Sequence, residues 1–197
     1  MKKNTHQTGL TLIECIVAIS ILTLAVAGPL TLAAHSLKAS RDSRAEFIAT
    51  HLAEEALEAV HNIRANNSAD DNTPNRSQWM QGIMSRCDTG CVLDVSEHGP
   101  GVWGQNALIA CPSGNCATLA MVYFNSQTGL YRQSAASLPD PWRASEFART
   151  VTVEGIDNAA NPMRQVRVTA TVNYQGYAGL RFVKITEDLY NWFPSLN

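Results

Sequence analysis

The chain has 197 residues, of which 45% are hydrophobic and 16% charged. This length allows one modest folded domain with an additional segment, and it excludes two large domains. The formal net charge is −2, from 15 basic and 17 acidic side chains, so no overall field would attract nucleic acid or an anionic membrane surface.

The N-terminal segment has the composition of a membrane-spanning helix behind a short polar leader. Residues 1–9 are polar and include Lys2 and Lys3, whereas residues 15–34 contain no charged side chain. Twenty residues of helix extend over about 30 Å, which matches the hydrocarbon core of a bilayer. The segment is therefore long enough to cross a membrane.

Several processing fates compete for such a segment. A secretory signal could be cut at the small pair Ala25 and Ala27, and a plain uncleaved anchor is also possible. A lipoprotein signal fits poorly, because the apolar run follows Cys15 instead of leading to it. The run continues through Ala34 into a helical pattern, which favours a segment that stays in the mature protein.

The stretch "TGLTLIE" (8–14) resembles the class III leader of type IV pilins and type II secretion pseudopilins. The resemblance implies that a prepilin peptidase cuts after Gly9 and methylates the new N-terminus at Leu10. It also implies assembly with other pilin or pseudopilin subunits on an inner-membrane platform. Family members more often begin with Phe than with Leu, a departure that concerns methylation efficiency.

Glu14 places one carboxylate at the start of the apolar run. A charged side chain at the centre of a membrane helix costs roughly 2.5–3.5 kcal/mol, and less near its end. The resemblance implies that Glu14 is the acidic fifth residue of the mature chain and pairs with the charged N-terminus of a neighbouring subunit. The alternative is that Glu14 lies at the headgroup boundary, where an acid costs little.

The helical pattern continues beyond Ala34 to about Arg64. Apolar residues recur there at spacings of three and four and form one stripe, which needs a cover: Phe47 or Ile48, Leu52, Ala56, Ala59 or Val60, and Ile63. The stretch "HLAEEALEAVHNIR" resembles the helix of the PilV and pseudopilin-I groups of minor pilins. Gly28 and Pro29 predict a kink or a locally melted turn in the first half.

Glu54, Glu58 and His61 also share one face of this helix and could in principle hold a metal ion. Charged residues at that spacing usually form a solvated face, and no H-E-x-x-H arrangement surrounds them. We therefore predict no metal site and no cofactor.

The C-terminal region changes to the period of β-strands after a polar loop at 66–76. "VRVTATVNY" (166–174) alternates strictly, and the turn "GYAG" (176–179) joins it to "LRFVKIT" in a hairpin. Further strands are predicted at "ARTVTVEGI", "LAMVYFN" and "GLYRQ". The pattern predicts an antiparallel sheet of about four to six strands, with one face covering the helix stripe in an α+β, pilin-like fold.

Four cysteines form two close pairs in this region: Cys87 and Cys91, and Cys111 and Cys116. The spacing alone also allows a four-cysteine zinc site. An exported domain meets oxidants, which favours disulfides. Four cysteines allow three pairings, of which two local bridges are the simplest.

The sequence contains no Gly-rich phosphate loop, nucleophile elbow, zincin motif or calcium loop, which argues against an enzyme. The predicted division is a leader at 1–9, a transmembrane and assembly helix at 10–34, its amphipathic continuation at 35–65, and an exported β-rich domain at 66–197. The leading hypothesis is a minor pilin or pseudopilin in a pilus or secretion pseudopilus. It would be a single-pass protein of the inner membrane, in contact with lipid, before it joins an extracellular or periplasmic filament.

Two alternatives remain. One is a DNA-binding minor pilin, with Arg164, Arg167, Arg181 and Lys184 as a basic stripe on the C-terminal hairpin. The other is an anchored exported protein that never enters a filament.

Overall fold

One long helix precedes an antiparallel sheet in the part of the chain that the structure covers. The structure is a computed structural model that describes residues 9, 11–69, 79–94, 107–134, 138–156 and 164–191. The elements are α1 (Leu12–Ala69), α2 (Met84–Cys87), β1 (Cys91–Leu93), β2 (Leu108–Ala110), a 3-10 turn (Pro112–Gly114), β3 (Met121–Asn125), β4 (Tyr131–Gln133), β5 (Trp142–Gly155), β6 (Gln165–Gly176) and β7 (Gly179–Tyr190). This is the predicted α+β arrangement.

The chain forms two compact units, Met1–Ser43 and Arg44–Asn197. Their division falls within α1, because the first part of the helix has no sheet to pack on while the second part belongs to the core of the second unit. The predicted division at residues 9, 34 and 65 stays a prediction.

Strand β5 is the centre of the sheet. The C-terminal half of β5 pairs with β6, from Phe147↔Tyr174 to Gly155↔Val166. Strand β7 pairs with the other side of β6. The opposite side of β5 is shared by β3 and β1, which extend the sheet to β4 and β2. The described strands number seven, so the prediction of four to six was too low. Strands β1 and β2 have three residues each, too few to show an alternating pattern.

The apolar face of the sheet packs on the second half of α1. The predicted inward face of β6 is buried: Val166, Val168, Ala170, Val172 and Tyr174. The buried helix residues are mostly small, namely Ala45, Ala49, Leu52, Ala53, Ala56, Leu57, Ala59, Val60 and Ile63. Of the predicted pair at the start of the stripe, Ile48 packs on the core, whereas Phe47 is 63% exposed. The alanines leave room on this face of the helix for side chains of the sheet.

The helix continues one turn past its predicted end at Arg64 and reaches Ala69. Polar side chains sustain this turn by bonding within the helix, because Asn66 donates to the Asn62 side chain and Ser68 donates to the Arg64 carbonyl. The predicted loop at 66–76 was therefore wrong in its first residues, and its later part lies outside the described residues.

A buried arginine joins the helix to the sheet. The side chain of Arg149, only 1% exposed, donates from Nη1 to the Leu52 carbonyl at 3.0 Å and to Glu55 Oε2 at 2.6 Å. Its Nε donates to Gln133 Oε1 at 3.1 Å, and the Gln133 amide in turn donates to the carbonyls of Ala120 and Arg149. The buried guanidinium is thus hydrogen-bonded and paired with a carboxylate, which is what a buried charge requires.

We predict that Arg149→Met lowers the free energy of unfolding of the full chain by about 2–4 kcal/mol, since Gln133 and Glu55 lose their charged donor inside the protein. Urea denaturation in detergent micelles measures this. The matched variant Glu55→Gln keeps a hydrogen-bond acceptor at a side chain that is 36% exposed but removes the counter-charge of Arg149, and should cost less, about 1–2 kcal/mol. Equal losses in the two variants would contradict the proposed role of Arg149.

Candidate functional site

The first half of α1 is an apolar surface that the described chain leaves uncovered. Its large side chains are exposed by half or more, from Leu12 at 79% to Leu32 at 72%. The most apolar window of α1 is long and apolar enough to cross a membrane, and none of it is buried in the protein. Such a surface needs either lipid or another apolar surface against it.

The hydroxyl groups within this apolar half bond to the helix backbone. Ser20 Oγ donates to the Ile16 carbonyl at 2.8 Å, and Thr23 Oγ1 donates to the Ser20 carbonyl at 2.9 Å. A hydroxyl bonded in this way leaves no unsatisfied donor for a hydrocarbon environment. The polar residues of the segment are therefore compatible with membrane insertion.

The residues of the predicted cleavage motif lie at the start of α1. Gly9 is exposed, and a Cβ built on it would meet no atom within 4 Å. Glu14 lies in the first turn, where its amide donates to the Thr11 carbonyl at 3.0 Å. Negative charge is favourable at a helix N-terminus, because the first amides point toward it. The predicted methylation site, Leu10, lies outside the described residues.

Gly28 and Pro29 lie within the helix. The backbone is helical through both residues, with Pro29 inside α1, so the turn is not melted in this form of the chain. The Gly28 carbonyl accepts a hydrogen bond from Thr31 Oγ1 at 2.8 Å. The kink at this pair stays a prediction.

The N-terminal part of the chain matches a known protein family model. Residues 4–28 match the family model described as the prokaryotic N-terminal methylation motif. Curated proteins and solved structures give no significant match to the chain. The match supports a type IV pilin-like protein, a structural family, and together with the apolar helix it fits a membrane-anchored chain. The motif implies processing by a prepilin peptidase and assembly with other pilin subunits.

The four outer cysteines are bonded as two local pairs, Cys87–Cys91 and Cys111–Cys116. The two bridges are neighbours, because a Cβ on Gly90 would lie 3.1 Å from Cys116 Sγ. The Cys111 amide also donates to the Gly90 carbonyl at 3.0 Å. Together the bridges brace the segment around the short strands β1 and β2, where few ladder hydrogen bonds are available.

Two of the three residues of the possible metal face on α1, Glu54 and His61, have other partners. His61 Nε2 lies 2.9 Å from Glu187 Oε2 of β7, and His51 Nδ1 lies 3.0 Å from Glu54 Oε2. Among the described residues, no group of three or more His, Cys, Asp or Glu side chains could hold a metal ion.

The basic residues of the C-terminal hairpin do not form one stripe. Arg167 binds Asp188 through two hydrogen bonds, at 2.8 and 3.0 Å. Lys184 lies in a shallow cleft that also contains Glu154 and Glu187. Arg181 is three residues before Lys184 on β7, so its side chain lies on the opposite face of the strand. A stripe of one charge, as the DNA-binding alternative requires, is thus absent from the described hairpin.

The Arg167–Asp188 pair shifts the pKa values of both of its groups. The hydrogen bond from Arg167 holds the pKa of the Asp188 carboxyl below its ordinary value, and the same bond raises the pKa of Arg167. Because the folded pKa of Asp188 lies below the unfolded one, the pair stabilises the hairpin above the unfolded pKa. That stabilisation is lost as the pH falls through the folded value.

We predict that Arg167→Gln returns the pKa of Asp188 toward that of an ordinary aspartate, as measured by carbon NMR titration of the carboxyl group. The control Arg181→Gln, on the opposite face of the hairpin, should leave the titration of Asp188 unchanged. A similar shift in both variants would show that general charge, not the paired hydrogen bonds, holds the pKa down.

Proposed function

We propose that this chain is a minor pilin or pseudopilin, a structural subunit of a type IV pilus or a type II secretion pseudopilus. A prepilin peptidase cuts it after Gly9 and methylates Leu10. Before assembly, α1 crosses the cytoplasmic membrane once, and the C-terminal unit lies on the exported side.

The observation that carries this proposal is the contrast between the two halves of α1. The second half packs through alanines on a sheet of the same chain, whereas the first half carries exposed Leu, Ile and Val on all sides. Burying each such side chain is worth roughly 1.5–3 kcal/mol. A helix that is apolar on every side suits a lipid environment first and a bundle of identical or related helices afterwards.

Glu14 is the proposed determinant of register between subunits. In a low-dielectric helix bundle, its carboxylate would be stabilised by the amino terminus that cleavage creates at Leu10 of a neighbouring subunit. Gly28 and Pro29 are the proposed site of local bending or extension, since proline lacks one helix hydrogen bond.

Processing gives the first test. Intact-mass analysis of the membrane-extracted protein should find a chain that begins at methylated Leu10. Gly9→Val should block processing, because the peptidase must accommodate a branched side chain where the wild-type chain has none. The control Gly28→Val should be processed normally. A mature chain that begins at Gly28, or one that retains Met1, would overturn the proposal.

Assembly gives the second test. Glu14→Val should be processed normally and yet be depleted from sheared filaments or pseudopili, because the partner of the neighbouring N-terminus is lost. The control Glu46→Val removes an exposed carboxylate of the same helix outside its apolar half, and should assemble at the wild-type level. Normal assembly of the Glu14 variant would remove the role proposed for this residue.

A further inference from the structure

The direction in which β7 runs along α1 is fixed by two sets of contacts. Arg149 of β5 pairs with Val172 of β6, which in turn pairs with Val183 of β7. The Arg149 side chain donates to the Leu52 carbonyl, so Leu52 of α1 lies level with Val183. Farther along, His61 lies against Glu187 and Arg64 Nη2 donates to the Tyr190 carbonyl at 2.6 Å. Lower residue numbers on α1 therefore lie beside lower numbers on β7.

The β6–β7 turn consequently lies at the end of the second unit where the chain enters it, at Arg44. Starting from the level shared by Leu52 and Val183, the helix extends about 12 Å back to Arg44. Strand β7 extends about 17–20 Å in the same direction to the turn, so the turn lies slightly beyond the level of Arg44. Arg44 also lies close to Tyr131. Burial raises the pKa of Tyr131, and the charge of Arg44 offsets part of that rise. The ring of Tyr131 contacts the ring of Phe147, which contacts the ring of Tyr174 close to the β6–β7 turn.

The hairpin tip, residues 176–184, exposes large apolar side chains at this end. Tyr177, Leu180 and Phe182 are 66%, 75% and 66% exposed. Leu180, Phe182 and Lys184 share one face of β7, because alternate residues of a strand point the same way. Three large apolar side chains at one exposed turn are costly in water unless another surface covers them.

Basic and aromatic residues accompany this patch. Arg181 and Lys184 are exposed within the tip, which contains no acidic residue. Arg143 is exposed at the neighbouring start of β5, where Asp140 and Glu146 are exposed as well. Leu130, 60% exposed, lies in the adjacent turn between β3 and β4. Aromatic and aliphatic side chains with flanking cations have the chemistry of an interfacial membrane contact, where rings enter the headgroup layer and cations attract anionic lipid.

We propose that the hairpin tip is a membrane-contacting foot, which inserts Tyr177, Leu180 and Phe182 into the headgroup layer of an anionic bilayer before assembly. The occupant is lipid because the tip lies at the end where the chain continues into its membrane-length segment, and because the tip itself carries Arg181 and Lys184 without an acidic residue, which suits anionic headgroups. The inference rests on the proposed membrane anchoring. It adds a second contact that orients the exported unit.

A spin-label measurement on the full chain in vesicles of phosphatidylcholine and phosphatidylglycerol tests the foot. The label is placed by Tyr177→Cys in a Cys15→Ser background, because the other cysteines are paired in disulfides. The matched control is Thr186→Cys, on β7 but nearer the other end. We expect the label at residue 177 to be several-fold less accessible to a water-soluble nickel chelate than the label at 186, and more accessible to oxygen.

Two further arms separate the contributions. Leu180→Ser with Phe182→Ser should return the label at residue 177 to the accessibility of the control, and vesicles of phosphatidylcholine alone should weaken its protection. Equal accessibility at 177 and 186 would overturn the foot, as would protection that appears only in assembled filaments, which would assign the patch to a neighbouring subunit. Flotation with the vesicles reports the anchor separately, so loss of the foot and loss of anchoring are distinguishable.

Discussion

The hydrogen bond from Arg149 to the Leu52 carbonyl is the contact on which the arrangement of the second unit depends. A carbonyl in the middle of a helix already accepts a bond from its own helix, so a second donor must come close to the backbone. The alanines at 49, 53 and 56 leave that space. The same charge also binds Glu55 and Gln133, and the helix therefore has one position along the sheet. The contacts of His61 and Arg64 with β7 then follow from that position.

The two halves of α1 show how one element meets two environments. Where a sheet covers the helix, small residues are favoured because they leave the helix backbone open to the Arg149 side chain. Where no sheet is present, the helix carries Leu, Ile and Val on every side, and its few hydroxyls bond back to carbonyls. Charge follows the same division, since Glu14 is the one carboxylate in the apolar half and lies in its first turn. Helix propensity alone does not distinguish these halves; the side-chain volume does.

The sequence predicts the elements with strong periods and misses those held by single contacts. Strict alternation located β6 and its buried face, and the i, i+3, i+4 pattern located the covered side of α1. Strands β1 and β2 are too short to alternate, and the two disulfide bridges lie beside them. Arg149 could have been found, because in "ARTVTVEGI" it shares the inward face with Val151 and Val153. An arginine on such a face needs buried acceptors, but nothing in the sequence indicates that a helix carbonyl supplies one.

Composition also conceals how charge is distributed once the chain folds. A net charge of −2 predicts no general attraction to an anionic surface, yet β7 carries its basic residues, Arg181 and Lys184, toward the turn and its acidic ones, Glu187 and Asp188, toward the other end. The acidic end is engaged within the protein, by His61 and Arg167. Because α1 and β7 run side by side in a fixed register, the basic end of the strand lies where the chain enters the unit. The same register that buries Arg149 thus decides which charges a membrane surface would meet.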